Sequence, residues 1–214
     1  MGRYEKYHKH VLKIVLGIIG LGFVVLTILV VIFPNSFIDL EFSQEVQEHQ
    51  NLFLDISMKG VSWFGYFPGS AIVVLLAASL FFIFKYRKEA LFVLFTSAAG
   101  LLSTLVKILV NRPRPAEPLV RIVQKASQQS FPSGHVLFYV LFFGFLTVLM
   151  YDLKSIPKFT RIIVSSISMI LIFAVPFSRI YLGDHWFTDV LGGFLLGMLC
   201  LYTLSHYYFR KTTK

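Results

Sequence analysis

The sequence predicts an all-α, polytopic membrane protein with six transmembrane helices. Apolar residues make up 56% of the chain and charged residues only 14%, with a mean hydropathy of +0.72, which is far from a typical soluble domain. Six apolar runs approach or reach the roughly 20 residues that a helix needs to cross a hydrocarbon core. The first run is too long for a signal-peptide core and lacks a small-residue cleavage site, so we interpret it as a retained span. We expect residues 1–214 to form a single integral membrane domain.

Polar segments separate the six runs, which cover residues 11–33, 69–84, 90–110, 136–150, 162–177 and 188–209. In the last run, Gly193 and Gly197 have the spacing that lets two membrane helices approach closely. Residues 37–59 interleave acidic and apolar side chains and are too polar to span. They predict one or two amphipathic helices along the outer membrane interface. This stretch either guides a lipid to the site or only connects two spans, and the sequence does not separate these roles.

Positive charge is concentrated in segments that six spans place on one side of the membrane. These segments are the N-terminal flank 1–13, the loops 85–88 and 154–161, and the tail 210–214. Basic loops favour the cytoplasmic side, so we expect a multi-pass cell-membrane protein with both termini in the cytoplasm. The net charge of +9 is then explained by these loops and by an anion-binding site, not by nucleic-acid binding. Residues 107–135 and 178–189 fall on the outer side.

His185 and Asp189 lie four residues apart where the last apolar run begins. Residues at this spacing share a helix face, so the Asp189 carboxylate can hydrogen-bond one imidazole nitrogen and leave the other lone pair available. This arrangement makes a histidine nucleophilic or basic. A local structural hydrogen bond is the alternative interpretation of the pair taken alone.

Three polar segments at the outer ends of spans three, four and six have a defined spacing. Residues 107–115 read KILVNRPRP, residues 132–135 read PSGH, and residues 178–189 read SRIYLGDHWFTD. They match, in order and without a gap, the signature K-x6-RP, PSGH and SR-x5-H-x3-D. The sequence therefore resembles the type 2 phosphatidic acid phosphatase superfamily, in particular the membrane branch with bacterial type B phosphatidylglycerophosphate phosphatases and undecaprenyl pyrophosphate phosphatases.

The resemblance implies a catalytic role for three residues. His185 corresponds to the nucleophile that forms a phosphohistidine, Asp189 to the residue that orients it, and His135 to the general acid. The resemblance also implies a phosphate-binding set, which consists of Lys107, Arg114, Ser133, Gly134 and Arg179. Physical chemistry supports this set, because cations neutralise a transferring phosphoryl group and a glycine turn at a helix start binds anions. Since no carboxylate cluster or His/Cys ligand set argues for a metal, we predict neither a metal nor another cofactor.

Other residues near these segments receive separate interpretations. Arg112 is interpreted as a residue at the lip of the site, because the spacing selects Arg114. Asp184 is interpreted as a structural or tuning residue, and Ser178 either binds phosphate or caps a turn. Cys200, the only cysteine, is interpreted as a small buried hydrophobic residue.

The sequence thus predicts a membrane lipid phosphatase that removes a terminal phosphate at the outer face. Phosphatidylglycerophosphate and undecaprenyl pyrophosphate are the substrates that the resemblance implies first, and phosphatidic acid, lysophosphatidic acid and diacylglycerol pyrophosphate are further candidates. The alternatives are a lipid phosphotransferase, a non-catalytic lipid-binding protein of the same fold, and a transporter or channel with charged side chains near an aqueous cavity. The motifs bind the phosphate and do not select the lipid, and the oligomeric state is not predicted.

Overall fold

Helices are the regular secondary structure of this protein. The computed structural model describes residues 3–124 and 126–210, with side chains from His10 onward, so the predicted basic tail beyond Arg210 lies outside the described residues. The helices are α1 (Arg3–Ile32), α2 (Phe37–Val46), α3 (Leu52–Ser62), α4 (Gly69–Ile83), α5 (Arg87–Phe95), α6 (Ala98–Val110), α7 (Gly134–Asp152), α8 (Lys158–Tyr181) and α9 (Phe187–Phe209). A short 3-10 turn, Trp63–Gly65, follows α3. The all-α prediction is confirmed.

α7 is the centre of the bundle, and most of its side chains are buried. Its sequence is apolar on every side, which is typical of a helix that neighbours surround. α8 and α9 pack along α7, and α1 packs against α9. The outward faces of the other long helices carry large exposed apolar side chains such as Leu101 and Ile170, as expected for surfaces that meet lipid.

Five helical segments are long and apolar enough to cross a membrane. They are His10–Ile32, Arg87–Val110, Gly134–Asp152, Lys158–Tyr181 and Phe187–Phe209. A sixth forms if Leu52–Gly65 and Gly69–Ile83 are taken together as one span with a bend of 56°. The predicted multi-pass architecture is therefore confirmed.

The second span differs in detail from the sequence-based expectation. α4 has 15 residues, and its length of about 22 Å is less than the roughly 30 Å of a hydrocarbon core. α3, which we expected at the membrane interface, precedes it across the break and packs against α8. The polar Asp55 of α3 is satisfied within the protein, since it accepts hydrogen bonds from Arg121 (2.7 Å) and from the Tyr181 hydroxyl (2.8 Å). These tertiary partners explain how the polar side chain of Asp55 is accommodated in a helix that packs against the bundle.

Gly197 lets α9 approach α7 closely. A Cβ atom on Gly197 would lie 2.8 Å from Cβ of Val140 and 3.3 Å from the carbonyl oxygen of Leu137. The close approach predicted from the glycine spacing is confirmed at this position.

Gly197→Ala is expected to lower the thermal unfolding midpoint of the detergent-solubilised protein. Forcing a methyl group into this contact costs about 1–3 kcal/mol. Gly17→Ala is the matched control in α1, because a Cβ there meets nothing within 4 Å; it should leave the midpoint unchanged or raise it, because alanine favours the helix more than glycine does. Equal midpoints for the two variants would contradict the close packing of α7 on α9.

Candidate active site

The predicted site residues converge where α6 ends and where α7 and α9 begin. A cavity of about 1170 Å³ opens at this end of the bundle. Six of the predicted residues line it, namely Lys107, Arg114, Gly134, His135, Arg179 and His185. Ser133 and Asp189 are buried and lie behind the cavity wall. One cavity therefore brings together residues from all three sequence segments.

The His185 and Asp189 side chains are neighbours, as their spacing predicts. The distance from His185 Nδ1 to Asp189 Oδ2 is 3.5 Å. The two residues do not share a helix face, however, because α9 begins at Phe187 and His185 lies in the turn before it. Asp189 is in the first turn of α9, where its Oδ2 accepts a hydrogen bond from the Trp186 amide at 2.9 Å. Asp189 therefore caps its own helix and faces His185 with the same oxygen.

Ser130 is a third member of this pair that the sequence did not single out. Its hydroxyl donates a short hydrogen bond to Asp189 Oδ2 and lies 3.5 Å from His185 Nδ1. With Nδ1 facing Asp189 and Ser130, Nε2 is the His185 nitrogen available to the cavity. Asp189 and Ser130 therefore orient the His185 ring through Nδ1, on the side away from the cavity.

The surroundings of His185 favour its neutral form. Burial lowers the pKa of the imidazole well below its usual range, and the positive charges of Arg114, Lys107 and Arg179 lower it further. A neutral imidazole has a free lone pair on one nitrogen. His185 is thus suited to act as a nucleophile.

Lys107 lies at the end of α6 with its ammonium group inside the protein. Nζ donates hydrogen bonds to the backbone oxygens of Gln129 (2.5 Å) and Ser130 (3.2 Å). These carbonyl groups offset part of the cost of burying the charge. They also hold the loop before α7 against the end of α6.

Arg114 and Arg179 converge on Asp184, the residue before His185. Arg179 Nη2 contacts Asp184 Oδ2, and Arg114 Nη1 donates to the Asp184 carbonyl oxygen at 2.5 Å and lies 3.8 Å from Oδ1. The Tyr66 hydroxyl donates to Asp184 Oδ2 at 2.7 Å. Asp184 therefore positions both arginines, which fits the structural role predicted for it.

His135 faces the cavity from the first turn of α7. Its ring lies edge to face against Tyr66 with centroids 4.2 Å apart. Within the described part of the chain, its buried Nε2 has no hydrogen-bond partner. The nitrogen is available to a bound group in the cavity, as a general acid requires.

Three further buried polar atoms lie around the start of α7. Among the described residues, Ser133 Oγ, Arg179 Nε and Ser103 Oγ are buried without a hydrogen-bond partner. A Cβ on Gly134 would lie 2.9 Å from Ser103 Oγ, so this glycine brings α6 and α7 together. Ser103 lies one helical turn before Lys107 and lines the cavity, although it is outside the sequence motifs.

The interpretation of Arg112 as a residue at the lip of the site is wrong. Its side chain is fully buried and forms ion pairs with Asp189 (2.5 Å) and Asp39 (2.6 Å). Asn111 follows the end of α6 in the left-handed conformation, which an asparagine tolerates, and the chain then turns Arg112 inward. The spacing distinguished Arg112 from the cavity-lining Arg114 but gave no sign of these carboxylate partners.

Ser178 does not line the cavity, so the phosphate-binding alternative for it is not supported. Its hydroxyl donates to the Met58 carbonyl oxygen at 2.6 Å and lies 2.7 Å from Ser62 Oγ. Ser62 Oγ in turn accepts a hydrogen bond from Arg179 Nη1 at 2.7 Å. Ser178 therefore joins α8 to α3 and supports Arg179 indirectly.

The structure also bears on the predicted absence of a metal. In residues 3–124 and 126–210, no group of three or more His, Cys, Asp and Glu side chains is arranged to hold a metal ion. Metal independence itself stays a prediction.

Comparisons with known proteins agree with the geometry of the site. The PAP2 superfamily matches residues 88–213. Phosphatidylglycerophosphatase B of Bacillus subtilis (strain 168) is 34% identical over 139 residues, which cover 63% of this chain and 64% of that protein. Undecaprenyl-diphosphatase of Sulfolobus acidocaldarius is 32% identical over 124 residues, which cover 56% of this chain and 55% of that protein. The matches thus span less than two thirds of the length of these curated relatives.

A solved structure shares the fold. The crystal structure of a transmembrane PAP2 type phosphatidylglycerolphosphate phosphatase from Bacillus subtilis superimposes with a TM-score of 0.78 and 24% identity. The match covers 93% of this chain and 98% of that chain. At this identity the likeness establishes the common helical architecture.

Gly65→Ala is expected to displace His135 and, for the general-acid role that the resemblance implies for this residue, to lower turnover about 100-fold, because a misplacement of 1 Å at a reacting centre costs that much. A Cβ on Gly65 would lie 2.2 Å from His135 Cδ2. Gly60→Ala in α3 is the matched control, since a Cβ there meets nothing within 4 Å. Lipid phosphate hydrolysis by the two detergent-solubilised variants checks this, and equal rates would show that the turn does not constrain His135.

Proposed function

Since the chain belongs to the PAP2 superfamily, we propose that it is a membrane lipid phosphatase that acts through a phosphohistidine on His185. One observation carries the proposal. His185 is oriented by Asp189 and lines a cavity that Lys107, Arg114 and Arg179 also line. An oriented nucleophile surrounded by cations is what transfer of a phosphoryl group requires.

In the first step, Nε2 of His185 attacks the phosphorus atom of the lipid phosphate. A nitrogen–phosphorus bond forms as the bond from phosphorus to the lipid oxygen breaks. His135 donates its proton to that leaving oxygen. Asp189 stabilises the positive charge that develops on the His185 ring, and the three cationic side chains neutralise the phosphoryl oxygens.

In the second step, water attacks the phosphorus atom of the phosphohistidine. His135, now neutral, accepts a proton from the water, and the nitrogen–phosphorus bond breaks. Inorganic phosphate leaves and His185 returns to its neutral form. The net reaction consumes one water molecule and yields the dephosphorylated lipid and phosphate.

The shape of the cavity supports a lipid as the substrate. Beyond the charged end, its lining continues between α4 and α6 along apolar residues that include Ala71, Val74, Leu101 and Ile108. A lining of this kind suits a hydrocarbon chain, whereas the charged end suits its phosphate.

Several observations support the proposed substrates and the proposed side of action. The names of the two curated relatives favour phosphatidylglycerophosphate and undecaprenyl pyrophosphate as substrates. The basic loops favour cytoplasmic termini and hence a site at the outer face. The whole chain acts as one phosphatase domain, because Asp39, Ser62 and Tyr66 precede the PAP2 match and still contact site residues.

His185→Ala is expected to abolish phosphate release from both lipids, with a loss of at least about 10³-fold, because the proposed covalent intermediate forms on the imidazole that this variant lacks. The assay uses detergent-solubilised protein without added metal and with a chelator present. His49→Ala is the matched control, because this histidine is exposed and distant from the motifs. The ratio of the two kcat/KM values ranks the lipids.

Three results would contradict parts of this proposal. Unchanged release by His185→Ala would exclude the phosphohistidine. Loss of wild-type activity with chelator would exclude metal-independent transfer. Phosphate found on an added alcohol rather than free in solution would identify a phosphotransferase.

Gly100→Trp is expected to raise the KM for a long-chain lipid phosphate about tenfold or more, because the indole fills the apolar groove. Gly100 lines the cavity, and a Cβ there meets nothing within 4 Å. Turnover of a soluble aryl phosphate should change less than about threefold. Gly17→Trp, on the exposed side of α1, is the control. Equal effects on both substrates would exclude this groove as the site of the lipid chain.

A further inference from the structure

Helix α2 delivers one carboxylate, Asp39, to the interior of the protein. Asp39 is fully buried, although Phe37 and Ile38 beside it are exposed. Its Oδ2 accepts a hydrogen bond from the Ser36 hydroxyl at 2.7 Å, and its Oδ1 accepts one from the Thr188 amide at 2.8 Å. A stretch that reads as an amphipathic connector therefore contacts the first turn of α9.

Arg112 joins this carboxylate to the one behind the nucleophile. Its Nη2 donates to Asp39 Oδ2 at 2.6 Å, and its Nη1 donates to Asp189 Oδ1 at 2.5 Å and to Thr188 Oγ1 at 2.7 Å. Nε and Nη2 also donate to the carbonyl oxygen of Pro34, at 3.0 and 2.8 Å. Four acceptors thus hold the guanidinium, and both of its carboxylate partners are buried with it.

The two oxygens of Asp189 have separate partners. Oδ1 contacts Arg112, whereas Oδ2 faces His185 and Ser130. Any change in the position or charge of Arg112 therefore acts on His185 through one carboxylate.

We propose that Asp39 and Arg112 are positioning residues for the phosphohistidine reaction, which extend the His185–Asp189 pair to helix α2. This inference rests on the proposed function. Arg112 fixes the orientation of Asp189, and Asp39 shares the charge of Arg112. The sharing keeps enough negative charge on Asp189 to stabilise the His185 imidazolium that forms on attack.

The charges of Asp39, Arg112 and Asp189 predict whether each substitution stabilises or destabilises the His185 imidazolium. Asp39, Arg112 and Asp189 sum to one negative charge. Asp39→Asn removes that net charge and leaves Arg112 paired with Asp189 alone, which makes the imidazolium of His185 less stable. Arg112→Gln leaves two negative charges instead of one, which makes the imidazolium more stable. The double variant restores one negative charge but lacks the clamp.

The first experiment measures kcat and KM for phosphatidylglycerophosphate in mixed micelles. Asp39→Asn should lower kcat about tenfold or more, as loss of a supporting residue does at other sites, while KM changes less than about threefold. Glu41→Gln is the matched control, because it removes an exposed carboxylate from the same helix. It should leave both constants within about twofold of wild type.

The second experiment measures the acid limb of kcat/KM against pH, which reports the base of the free enzyme. In Asp39→Asn the acid limb should shift to lower pH by roughly half a unit, and in Arg112→Gln it should shift to higher pH by a similar amount. In the double variant the limb should lie close to its wild-type position. The other groups that face His185 stay unchanged in every variant, namely Lys107, Arg114, His135, Ser130 and Arg179. The ionisation of the lipid phosphate is also common to all of them.

A purely structural clamp gives a different pattern. It would lower the unfolding midpoint in all three variants without moving the limb in opposite directions. Shifts of the same sign, or none, would overturn the proposal, as would a kcat of Asp39→Asn equal to that of Glu41→Gln.

The direction of the shift is also measurable without turnover. NMR titration of histidine-labelled protein, with His185→Ala to assign the signal, should show the same opposite displacements. If the wild type hydrolyses no lipid phosphate but the opposite displacements are present, the proposed function fails and the coupling stands. If hydrolysis is present and the displacements are absent, the coupling alone fails.

Discussion

The buried carboxylate of Asp189 is the interaction on which the rest of the site depends. A charged group without partners is very costly to bury, so its partners must arrive together with it. They come from separate segments: Arg112 follows α6, Ser130 precedes α7, and the Trp186 amide precedes α9. The backbone oxygen of Asp189 also accepts a hydrogen bond from the Ser133 amide at 2.9 Å. Packing the helix ends and forming the His185–Asp189 pair are therefore one process.

The remaining charged groups follow the same rule at the same end of the bundle. Lys107 has two carbonyl partners, and Arg179 has Asp184 and Ser62. Each cation would be costly in a membrane-spanning segment without such contacts. Because the polar groups gather at one end, the centre of the bundle stays apolar and α7 needs no polar face. The lipid environment thus separates the molecule into a charged site and a uniform hydrophobic support.

Much of the site was predictable because its motifs are local. The spacing of Lys107 and Arg114 and the PSGH segment each depend on a short stretch of chain, and the structure places them around one cavity. Asp39 was not predictable, because it lies 73 residues before Arg112 and resembles any acidic residue of an amphipathic helix. The bend between α3 and α4 was not predicted for a related reason. The partners of α3, such as Arg121 and Tyr181, are distant in the sequence, and a hydropathy pattern contains no information about them.

Asp184 places a carboxylate of the protein inside the proposed phosphate site. Its Oδ2 contacts Arg179, and its carbonyl oxygen accepts a hydrogen bond from Arg114. A phosphate group entering the cavity exchanges places with this carboxylate or shares its cations, so the electrostatic gain on binding is a difference between two anions. In the proposed reaction, this competition weakens the binding of free phosphate more than it weakens the binding of the reacting phosphoryl group, whose charge is more dispersed. In the proposed reaction, the inorganic product therefore dissociates readily and the protein is soon ready for the next lipid.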